Sequence, residues 1–95
     1  MPTFVMFGKY SSESMRAISR KRSDEARALI KEHGGEIKAE YALLGVVDLL
    51  VIVELPDTAR AMQISVALTR LLGVNFTTAP AVTIEEFDRL MSRWD

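Results

Sequence analysis

Asp48 stands near the start of an almost unbroken apolar run, Val47 to Leu55 (VDLLVIVEL). A carboxylate there costs free energy unless it is paired, hydrogen-bonded or in reach of water. Two chemistries suit it: contact with a ligand, or acceptance of backbone N–H groups in the turn that begins at Gly45. Tyr10, Tyr41 and Thr77, together with Thr78 and Trp94, add aromatic surface and hydroxyls that suit a pocket for a small organic molecule. Packing at the rim of a core explains the same residues. Glu54 lies six residues beyond Asp48, roughly 20 Å along an extended strand, so the two carboxylates cannot act as an acid–base pair within one chain.

Other chemistries find little to work with. His33 is the single histidine and there is no cysteine, which excludes multi-histidine metal sites, thiolate clusters and cysteine nucleophiles. Neither a metal nor a cofactor is expected. No G-x-S-x-G turn is present, and Gly8 lacks the second glycine and lysine of a phosphate loop. His33 falls in the last turn of a helix, where interaction with terminal carbonyls is its ordinary role. Arg16, Arg20, Lys21, Arg22 and Arg27 form a basic cluster diluted by Glu13, Asp24 and Glu25, the pattern of a solvated helix face. Twelve basic against thirteen acidic side chains give no footprint for a polyanion, and the third strand carries no aromatic residue on which RNA bases could stack. No nucleic-acid or membrane partner is expected. The first residues lack a signal-peptide pattern and no apolar run is long enough to span a bilayer, so a cytoplasmic location is expected.

These residues must be positioned by one domain, residues 1–95, because 95 residues leave no room for a second. Thr3 to Lys9 (TFVMFGK) reads as a first strand, followed by Ser11-Ser12 as a helix cap. Helical spacing runs from Glu13 to His33, with a kink or restart capped by Ser23, and Gly34-Gly35 ends it. Glu36 to Leu44 alternates Ile37, Ala39, Tyr41 and Leu43 against Lys38 and Glu40, as an edge strand does. Val47 to Leu55 is apolar at nearly every position and reads as a central strand. Pro56-Asp57 caps a helix that closes at Gly73. Val74 to Thr83 forms an edge strand containing Pro80, and Thr83 with Glu86 opens a last amphipathic helix. The order β-α-β-β-α-β-α implies an α+β, ferredoxin-like domain with an antiparallel sheet in the order 4-1-3-2.

In such a fold both long helices lie on one side of the sheet, yet both sides of the two central strands are apolar. Phe4 and Met6 oppose Val5 and Phe7, while Leu49, Val51 and Val53 oppose Leu50 and Ile52. An uncovered patch of that size marks an interaction surface. Val5, Phe7, Leu50 and Ile52 are therefore expected to form a homo-oligomeric interface.

The stretches TFVMFGKYS, HGGEIKAEYALLG and FTTAPAVTIEEFDRLM, with the hairpin carrying Gly45 and Asp48, resemble the GYD domain family over nearly the whole chain. Gly45 and Asp48 match its glycine and aspartate; Val47 stands where the motif has tyrosine. The resemblance implies the dimeric α+β barrel arrangement, in which two such sheets pack face to face, and it implies no established activity. The expected function is a non-enzymatic, homo-oligomeric module, small-ligand-binding or regulatory, with Asp48, Tyr41, Tyr10 and Thr77 as candidate ligand-binding residues. The alternative is a cofactorless enzyme, monooxygenase- or isomerase-like, as occurs in the wider barrel group.

Overall fold

A computed structural model describes residues 1–94, leaving out the side chain of Trp94. The chain forms β1 (Thr3–Tyr10), α1 (Ser12–Arg16), α2 (Arg20–Glu32), β2 (Glu36–Ala42), β3 (Leu49–Glu54), α3 (Thr58–Leu72), β4 (Val74–Ala81) and α4 (Ile84–Met91), with a final 3-10 turn at Ser92–Trp94. The four strands make one antiparallel sheet in the order β2-β3-β1-β4, which is the expected order counted from the other edge. The α+β fold is as the sequence indicates.

Caps account for most of the boundaries. Ser11 and Ser14 satisfy each other's backbone N–H groups across the first turn of α1, at 3.0 and 2.8 Å. Asp57 accepts from Arg60 N at 2.8 Å to start α3, and Gly73 ends it at φ 71°, a left-handed conformation that costs glycine nothing. Thr83 accepts from Glu86 N at 3.1 Å to start α4.

Two expectations need correction. Helix α2 restarts at Ser19, whose hydroxyl accepts from Arg22 N at 3.2 Å, and not at Ser23, which lies inside the helix. Arg20, Lys21 and Arg22 are good helix formers, so the helix takes the earlier cap. In β2 the even alternation fails, because a register irregularity between Ile37 and Ala39 pairs Ile37 with Val53 and Ala39 with Ile52. Those partners point to opposite sides of the sheet, so Ile37 joins the core while Ala39 and Tyr41 face away from it. A bulge of this kind breaks the two-residue period at one point.

The core sits between the sheet and α2 with α3. Phe4, Met6, Val53, Leu55 and Val74 pack beneath Ile30, Ala61, Ile64, Leu68 and Leu72. The two helices contribute unequally: α3 supplies four buried residues, α2 only Ile30. The first half of α2, Arg20 to Glu25, has no apolar side chain to bury. Helix α3 is covered on one side alone, leaving Met62 and Val66 exposed, and α4 buries none of its residues.

Candidate functional site

Strand register turns the uncovered side of the sheet into rungs. One rung runs Tyr41, Leu50, Phe7, Thr77 across β2, β3, β1 and β4, and the next runs Ala39, Ile52, Val5, Ala79. All four expected interface residues, Val5, Phe7, Leu50 and Ile52, thus share one surface, with Tyr41 and Thr77 at its flanks. Among the described residues no helix lies over them. Phe7 is 37% and Tyr41 58% exposed. Beyond the apolar rungs the surface becomes polar, with Lys9 and Asn75 at one end and Glu36, Glu54 and Thr3 at the other.

Asp48 and Tyr10 come together elsewhere. Asp48 Oδ2 accepts from Tyr10 N at 2.8 Å, Asp48 N donates to Gly8 O at 2.8 Å, and Leu43 N donates to Asp48 O at 2.8 Å. The carboxylate therefore ties the end of β1 to the start of β3 and satisfies a backbone donor where the ladder runs out. Burial, reinforced by the Asp48 charge, raises the Tyr10 phenol above its ordinary pKa. Thr77 pairs with Phe7, three residues from Tyr10 and on the opposite face, so the four candidate ligand-binding residues do not converge on one point. Thr78 faces the helices, its hydroxyl 2.6 Å from that of Ser65.

On the helix side an open cleft of about 340 Å³ lies between the sheet and the start of α2. Its walls include Tyr10, Leu49, Val51, Phe76, Ala26 and Ile18. It exists because nothing apolar projects from the first half of α2, and its floor is set where Gly8, on the same side of β1, has no side chain. A Cβ on Gly8 would stand 2.9 Å from Phe76 Cε1, 3.1 Å from Val74 Cγ1 and 3.2 Å from Leu49 Cβ, so the neighbours have closed over the bare backbone. Of these residues the sequence reading named Tyr10 alone; the others were missed because the cleft depends on absent side chains, whose sequence signals were a glycine in a central strand and six polar residues opening a helix.

The charged side chains at the mouth of the cleft make contacts within the chain. Arg22 Nη2 donates to Leu72 O at 2.5 Å and Leu71 O at 3.4 Å, capping the carbonyl end of α3. Arg27 reaches Glu40 at 2.8 Å and Asp24 at 3.0 Å, and its hydrogen bond to Glu40 is the main cause of its raised pKa. Arg16, Arg20 and Lys21 are exposed, so the basic cluster does not act as a unit. His33 Nδ1 lies 2.9 Å from Leu29 O at the end of α2. Among the described residues no three histidine, aspartate or glutamate side chains gather where they could hold a metal ion, and no helix is long and apolar enough to cross a membrane.

Comparison with known proteins agrees with this architecture. A crystal structure of the leucine response regulatory protein of Mycobacterium tuberculosis is similar in fold, with a TM-score of 0.57 at 10% identity over 86% of this chain and 51% of that one. A solved glutamate-to-alanine mutant is similar at a TM-score of 0.56 and 12% identity, over 86% of this chain and 50% of that one. The chain spans about half the length of these structures. No curated protein matches the sequence. The GYD domain model matches residues 4–91, from β1 to the end of α4. With the sheet, the helices and the Gly45–Asp48 hairpin all inside that match, the chain belongs to the GYD domain family.

Proposed function

We propose that this protein is a non-enzymatic, self-associating module of the ligand-binding or regulatory kind, in which the uncovered face of the sheet packs against the same face of a second copy. The observation that carries this reading is the pair of apolar rungs, Tyr41-Leu50-Phe7-Thr77 and Ala39-Ile52-Val5-Ala79, which no helix among the described residues covers. A four-stranded face about 19 Å wide and 27 Å long has a projected area of about 500 Å². Specific interfaces take roughly 800 Å² per partner, and α4 supplies more apolar surface. Among the described residues none of its stripe of Ile84, Phe87, Leu90 and Met91 is buried, although eight residues are too few for a helix to be stable on its own.

Charge favours a second copy as the occupant. One end of the face carries Lys9 and the other Glu36 and Glu54. A two-fold axis lying between the two faces and running across the strands brings the basic end of one copy over the acidic end of the other. An enzymatic role would need a carboxylate or other base free to act in the cleft at neutral pH. Glu40, which lines it, is held by Arg27, and Asp48 serves the backbone. The similarity to a protein named for a leucine response supplies a fold at 10% identity and no ligand.

Light scattering on the wild type and on Ile52→Lys, Val5→Lys and Val66→Lys tests the interface. A dimeric wild type that becomes monomeric with either sheet substitution and stays dimeric with Val66→Lys is expected. A monomeric wild type, or assembly that depends on Val66, overturns the reading.

A further inference from the structure

The cleft beneath α2 has a volume within the range of small-molecule sites, and three features restrict its occupant. Its walls are mainly apolar. Arg27 and Glu40 are paired with each other, so a cationic ligand would find no free carboxylate, and an anion would meet only Arg22, whose guanidinium is committed through Nη2 to the carbonyl end of α3. Tyr10 lines the cleft, and among the described residues its hydroxyl has no hydrogen-bond partner. A phenol is protonated at neutral pH, and burial moves this one further from ionising, so it is available as a donor.

We infer that the cleft between α2 and the sheet is a binding site for a compact, uncharged, mainly apolar molecule carrying one oxygen acceptor, which the hydroxyl of Tyr10 engages. A closed apolar cavity of about 150 Å³ accommodates benzene, so a space near 340 Å³ accommodates two fused rings. Gly8 matters through its missing side chain, since Phe76, Val74 and Leu49 settle onto the backbone there and form the floor. The uneven share of the two helices in the core then has a use: α3 holds the fold, and the polar start of α2 stands off the sheet above the ligand. This inference rests on the ligand-binding half of the proposed function and is independent of self-association.

The test uses the full chain with 2-naphthol as probe, and naphthalene and 2-naphthoate as the neutral and charged comparisons. Saturable binding of one 2-naphthol per chain is expected, weaker binding of naphthalene, and weaker still of 2-naphthoate. Nuclear Overhauser contacts should run from the probe to the Tyr10 ring and to methyl groups of Leu49 and Val51. Tyr10→Phe should weaken 2-naphthol about tenfold and leave naphthalene unchanged, in line with loss of one hydrogen bond. Ala26→Phe, which fills the space from α2, should abolish binding of both; the wild-type Overhauser contacts decide the location if that variant fails to fold. No saturable binding, contacts to Val5 and Ile52 instead, or preference for 2-naphthoate overturns the inference. Ile52→Lys should bind 2-naphthol as the wild type does. Binding that persists in a chain shown to be monomeric removes the assembly reading alone, and a dimer that binds nothing removes this one alone.

Discussion

The two faces of the sheet are built from the same strands and are almost equally apolar, yet they meet different fates. Toward the helices, Phe4, Met6 and Val53 are sealed beneath α3. Toward the other side, Val5, Leu50 and Ile52 are half-buried and Phe7 exposed, with no helix among the described residues lying over them. Hydrophobicity therefore tells which residues must leave water, whereas the number and placement of helices decide which of them one chain can cover. A chain with two long helices covers one face.

Substitutions that separate the faces test this most strongly. Met6 and Phe7 are neighbours on β1 pointing opposite ways. Met6→Ala should cost about 2–5 kcal/mol of folding stability, as truncation of fully buried side chains does, whatever the protein concentration. Phe7→Ala should leave the stability of an isolated chain nearly unchanged and weaken or remove the concentration dependence that a self-associating wild type shows in its urea midpoint, because its effect acts on association. Equal, concentration-independent losses for both would end the distinction.

Within the helix side, Gly8→Val should cost about 1–3 kcal/mol, since even its Cβ falls 2.9 Å from Phe76. Urea unfolding measures it, and a stabilised variant would show that the floor of the cleft is looser than described. Asp48→Ala should cost about 1 kcal/mol by stranding the N–H of Tyr10, with Asp48→Asn, which keeps an acceptor, costing less. Equal losses for the two would mean that charge matters there more than hydrogen bonding.

Smaller effects remain at the edge of the cleft. The raised pKa of Tyr10 means that the unfolded chain releases this proton first as pH rises. Its contribution is intact below pH 10, the ordinary tyrosine value, and is lost as pH climbs through the higher folded value. Tyr10→Phe should remove that part of the alkaline slope in melts followed by circular dichroism. The smallest effect belongs to Arg27→Ala: exposed ion pairs contribute little, so only a slight, salt-sensitive change in midpoint is expected.

How far the sequence could be read depended on whether a feature has a local cause. The caps at Asp57, Gly73 and Thr83 are set by residues within one turn of where they act, and each was legible. The central strands were legible because both of their faces are apolar. Ser19 lost out to Ser23 because two serines four residues apart offer similar caps, and only the start of the helix tells them apart. The bulge in β2 left no trace in composition; it shows in pairing with β3. The cleft is the least local feature, depending on a glycine in β1, a polar turn of α2 and a phenylalanine in β4 that meet only in the folded chain.

The β2 bulge bears on a hazard faced by every open sheet. An outer strand with a straight row of free N–H and C=O groups invites another strand to add to it, and repeated addition yields fibres. Here β2 breaks its row at Lys38, and β4, on the other margin, contains Pro80, which has no N–H to offer. Growth strand by strand is thus discouraged at both margins. An exposed apolar sheet is left with a form of contact that terminates itself, one face against another, after which nothing remains to be added.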